Sequence, residues 1–106
     1  MNEHIETKAK LWSWASGNNG GNWHFLTITG EAAEDIKTTA IMRRLEGERQ
    51  RGWGAIRVSA TIGGTNWQTS IFPSRESGGY LLPIKASVRK AEGLVAGDEV
   101  TVDLRY

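Results

Sequence analysis

The stretch from Arg57 to Pro73 constrains this chain more than any other. Ile56, Val58, Ala60 and Ile62 alternate with Arg57, Ser59 and Thr61. That period of two marks a strand with one buried face. Gly63-Gly64-Thr65 follows, and glycine supplies the positive φ of tight hairpins. Trp67, Thr69 and Ile71 then alternate with Gln68 and Ser70, and Pro73 ends the run. The stretch therefore predicts two strands folded on each other.

The remaining elements are read from the same periodicities. His4 to Ala15 reads as one strand, with Ile5, Thr7, Ala9 and Leu11 on one face and Trp12 and Trp14 on the other with Lys8 and Lys10. Gly17 to Asn22 is a loop by composition. Trp23 to Thr29 is a second strand whose faces are not assignable, because it is nearly continuous in apolar and β-branched residues. Glu31 to about Leu45 predicts a helix, with Ala33, Ile36 and Ala40 as its apolar stripe. Its acidic residues come first and its basic residues last, which suits the helix dipole. Glu46 to Gly52 is a charged connector with a basic spot at Arg49 and Arg51.

After the central hairpin, Tyr80 to Leu82 reads as a short strand and Pro83 as the opening of a second helix. Ile84, Val88 and Ala91 form that helix's stripe, and Gly93 stands where a left-handed C-cap is wanted. Val100, Val102 and Leu104 alternate with Thr101, Asp103 and Arg105 as the last strand. The order is β-β-α-β-β-β-α-β, a mainly β fold with two helices. Short strands with hairpin links predict one small barrel domain over residues 1–106, with helices covering its ends. Its expected core includes Ile56, Val58, Ile62, Ile71, Val88, Val100 and Val102.

Composition excludes several function classes. Thirteen basic and 12 acidic residues leave a net charge of +1, spread evenly along the chain. Duplex-DNA binding by counterion release needs a basic excess that is missing here, so nucleic acid is not an expected partner. There is no cysteine, which fits a reducing cytoplasm. No apolar run approaches the ~20 residues of a membrane span, and the charged, alternating start is unlike a signal peptide. His4 and His24 have no third partner for zinc, and Ser70 lacks an elbow of glycines. The expectation is a non-catalytic protein without metal or cofactor, monomeric rather than an obligate oligomer.

Two constellations recur in a second pattern. Trp53-Gly54, Val58, Thr61-Ile62-Gly63-Gly64 and Trp67-Gln68-Thr69-Ser70-Ile71-Phe72-Pro73 form one half. Gly79-Tyr80-Leu81-Leu82-Pro83-Ile84-Lys85, Val88-Arg89, Glu92-Gly93-Leu94 and Gly97-Asp98-Glu99-Val100 form the other. Together they resemble the small prokaryotic domain-of-unknown-function family nineteen-oh-five, although Gly30 stands where that pattern has proline. The resemblance implies a double-split β-barrel, a buckled mixed sheet folded on itself, and carries over no catalytic residue. Its fold class is shared with swapped-hairpin DNA binders of the antitoxin type, which makes a nucleic-acid-binding regulator the alternative function. Some relatives carry a bacteriocin-protection type domain, so an accessory role there is a further alternative. Tyr106 follows directly on the last strand, so that second domain is expected to be absent.

Five tryptophans in 106 residues need individual explanation. Parity puts Trp67 with Ile71 on a buried face. It puts Trp12 and Trp14 on the polar face of the first strand, and Trp53 with Arg57 on the polar face of the third. Exposed aromatics mark a partner or ligand. Trp12, Trp14, Trp53 and Arg57 are therefore the first candidate site, for a flat or anionic small molecule held by stacking and a charge-assisted hydrogen bond. Lys85 and Arg89 on the second helix are the candidate anion or partner face.

Overall fold

The computed structural model describes residues 3–15, 22–47 and 54–106. The predicted hairpin is present. β4 (Ile56–Ile62) and β5 (Thr65–Pro73) pair antiparallel from Ile56↔Ile71 to Ile62↔Thr65, and Gly63 turns the corner at φ 56°. Val58, Ala60, Ile62, Trp67 and Ile71 face the core, as the alternation predicts.

The long first strand is in fact two, β1 (His4–Lys10) and β2 (Trp12–Ala15), broken at Leu11. The Leu11 N–H donates to the Asp98 carbonyl at 2.8 Å, and its own carbonyl accepts from the Gly97 N–H at 2.7 Å. Turn residues thus take the place of a neighbouring strand at this one position. The side chain stays in the core, so the faces on either side of the break keep their parity. β3 (Asn22–Ile28), α1 (Gly30–Leu45), β6 (Tyr80–Pro83), α2 (Ala86–Glu92) and β7 (Glu99–Arg105) complete the fold.

Among the described residues, seven strands form one sheet in the order β1-β7-β4-β5-β6-β3-β2. β1 and β2 stand at opposite ends of that order yet are joined through Leu11, so the sheet must curl on itself. Every pairing is antiparallel, where a mixed sheet was expected. The curl encloses a single core cluster that includes Leu26, Ile28, Val58, Ile71, Leu82, Val102 and Leu104. Ile56 packs against this cluster without full burial. α1 adds Ala33 and Ile36 to the core, and α2 adds Val88.

Three local readings change. Gly30 is the first residue of α1 and has φ 67°, a value that proline, fixed near −65°, cannot reach. Pro83 does not open α2; it closes β6 opposite Phe25, and α2 starts at Ala86 behind Lys85. Ala91 lies exposed, leaving Ile84 and Val88 to anchor the second helix. Gly93 caps α2 at φ 64°, with Leu94 folding back to bond the Arg89 carbonyl at 2.9 Å. No helix among the described residues is long and apolar enough to cross a membrane.

Candidate functional site

The sheet opens where Pro83 stands. β5 and β6 pair at Phe72↔Leu81 and Pro73↔Tyr80, and the pairing then stops. By register the next hydrogen-bonded pair would set Pro83 against Ser70. That pair needs an N–H from residue 83, and proline has none. β6 meanwhile stays with β3, since the Ile84 N–H still donates to the His24 carbonyl at 2.9 Å. A cleft therefore opens between β5 on one side and β3 with the end of β6 on the other.

The cleft has a volume of about 430 Å³. Its walls include His24 of β3, Trp67 to Thr69 of β5, Lys85 at the N-cap of α2 and Arg89 in its last turn. Among the described residues, neither aspartate nor glutamate lines it. Arg89 donates from Nε to the Ile84 carbonyl at 3.1 Å, which ties the guanidinium to the turn into α2. Neither Lys85 nor Arg89 joins a salt bridge among the described residues. The Nδ1 of His24 is buried without a hydrogen-bond partner. The cleft thus offers two cations beside an apolar wall, a set that suits an anion with an apolar body.

The expected aromatic residues occupy a different surface. Trp12 and Trp14 lie on the outer face of β2, opposite Phe25 and Trp23 of β3. Trp12 is half-buried; its indole N–H donates to the Thr27 hydroxyl at 2.8 Å, and its ring is tilted on Phe25 at 5.1 Å. Trp14 and Trp23 remain 54% and 56% exposed, so they are not core residues. Pro83, Leu81 and Phe72 continue this apolar face across β6 and β5. The outer face of β1, β7 and β4 is polar by contrast.

Arg57 is exposed on β4 opposite Ser70, with β5, β6 and β3 between its strand and β2. Trp53 lies outside the described residues, as do Arg49, Arg51 and the loop from Gly17 to Gly21. The structure therefore brings Trp12 and Trp14 together, brings Lys85 and Arg89 together, and sets Arg57 apart from Trp12 and Trp14. His4, the other histidine, is bonded to Asp103 across the β1–β7 pair.

His24 and the β5 wall of the cleft did not emerge from periodicity. His24 lies in a run too uniform to assign to a face, and alternation places Trp67 in the core, where at 7% exposure it mostly is. The usable signal was Pro83, because a proline inside a strand-like run marks an edge.

The chain matches the family model of a domain of unknown function, DUF1905, over residues 8–104. It belongs to that family. The match runs from β1 into β7, so the cleft-forming segment Pro83 to Arg89 lies wholly inside the DUF1905 domain. A search of curated proteins finds no match to the chain.

Proposed function

We propose that this DUF1905 protein is a non-catalytic binding module and that the cleft beside β5 takes an anionic ligand. The observation that carries the reading is the charge of the walls: Lys85 and Arg89 line the cleft and, among the described residues, no carboxylate does. The volume of about 430 Å³ lies within the range of small-molecule sites. Absence of cysteine supports work in the reducing interior of a bacterial cell. The even charge gives duplex nucleic acid little hold, which favours a small or extended anion over a DNA backbone.

The test is a thermal-shift and tryptophan-emission screen with aromatic carboxylates and phosphate esters, repeated on Arg89→Met. Bound ligand at 100 times its Kd should stabilise the fold by about 2.7 kcal/mol. Loss of the guanidinium should weaken binding by roughly 10- to 100-fold, the worth of a hydrogen bond to a charged group. If no anion in the panel moves either signal, or if Arg89→Met binds as the parent does, the reading fails.

A further inference from the structure

The cleft is bounded by a strand edge that no strand among the described residues pairs, and that edge has its own chemistry. Ile62 and Thr65 close a two-residue turn, so this pair exchanges both of its backbone hydrogen bonds. Alternation then turns the N–H and C=O groups of Thr65, Trp67, Thr69 and Ile71 toward β4. Those of Asn66, Gln68 and Ser70 turn away from β4, to the cleft side. Phe72, next in that series, is the residue that pairs with Leu81 of β6. From Ser70 back to Asn66, no strand among the described residues continues the pairing.

We propose that β5 takes an extended acidic segment of a partner protein as an added strand in this cleft. This rests on the anionic-ligand reading of the same site and names the ligand class. Five residues of open edge span about 17 Å, enough for a five-residue segment. The main-chain groups of Gln68 and Ser70 supply hydrogen bonds that do not depend on the partner's sequence. Lys85 and Arg89 supply the selection. Cations beside an open edge discourage pairing with neutral or basic strands, and the same charges favour an acidic one. Strand alternation places every second side chain of the guest on the side of the Trp67 and Thr69 side chains, where glutamates would meet the two cations.

The probe is an acetylated, amidated five-residue peptide alternating glutamate and valine, carrying a fluorophore and followed by anisotropy. It should bind, and amide hydrogen exchange at Gln68 and Ser70 should slow in the complex. Methylation of the peptide nitrogens that would face β5 should weaken binding at least about ten-fold. Lysine in place of glutamate should abolish it. Gln68→Pro removes a cleft-facing N–H without touching the β4 ladder and should weaken binding by a similar factor. Equal binding of the methylated and parent peptides would overturn the proposal, because side chains alone would then hold the guest. If small anions bind and the peptide does not, strand addition falls and the anion-binding reading stands. If neither binds, both fall.

Discussion

Substituting Gly79 by alanine should be the most damaging methyl group that can be added to this fold. Gly79 is buried immediately ahead of β6. A Cβ built there would sit 1.8 Å from the Ile28 carbonyl oxygen, 3.0 Å from its carbon and 3.4 Å from the Thr29 Cα. All three atoms are backbone, so no side chain can swing aside. Carbon and oxygen rest at about 3.3–3.6 Å even in a close contact, so the two strands must separate by more than about 1 Å. Ile28 is fully buried and opposes Tyr80 at the end of the β3–β6 ladder. Separation there adds strain and frees a buried carbonyl, a combined cost of about 3 kcal/mol or more. Neighbouring Gly78 is the control. It has φ 76° and nothing within 4 Å of a built Cβ, so alanine there meets only the left-handed backbone penalty of about 1–2 kcal/mol. Urea unfolding followed by tryptophan emission and circular dichroism should show the Gly79→Ala midpoint lowered by roughly 1–3 M. A Gly79→Ala protein within about 1 kcal/mol of the parent, or one more stable than Gly78→Ala, would refute the close approach of these backbones.

Trp12→Phe should cost about 1 kcal/mol through loss of the indole bond to Thr27, and the double variant with Thr27→Val should cost less than the two singles added. Additive costs in urea titrations would show that the bond contributes nothing. Stability should also fall in alkali. Burial raises the phenol pKa of Tyr80, with Glu34 adding to it and Arg44 opposing it. Burial likewise raises that of Tyr106, helped by Asp35 and Glu3 and opposed by a Thr39 hydrogen bond and Arg43. A raised folded pKa means the neutral phenol is favoured in the fold. The contribution is complete below the ordinary tyrosine value near 10 and is lost as pH climbs through the folded values. The Tm should drop as pH rises above the ordinary tyrosine value of about 10, and by less in Tyr80→Phe. An equal drop in that variant would place the alkaline sensitivity elsewhere.

Much of the fold could be read from the residues because it follows from local periodicity. The alternation from Ile56 to Ile71, the glycine turn, the stripe of Ala33 and Ile36 and the Gly93 cap each depend on neighbours a few residues away. Parity placed Trp12 and Trp14 opposite Leu11, and the break at Leu11 left that parity intact. The surface these tryptophans join could not be read this way, because Phe25, Leu81 and Phe72 reach it only through the pairing of β2, β3, β6 and β5.

The cleft belongs wholly to the tertiary structure. Pro83 and Ser70 lie far apart along the chain, and the sequence carries no sign that the two would be opposed. Only the register set by Phe72↔Leu81 brings them face to face. Only there does the missing N–H of proline become an opening in the sheet, with Lys85 and Arg89 on its wall. Strand periodicity determines which side of a strand a residue occupies. Which strand lies beside it, and where that neighbour leaves, is decided by hydrogen bonds between distant residues.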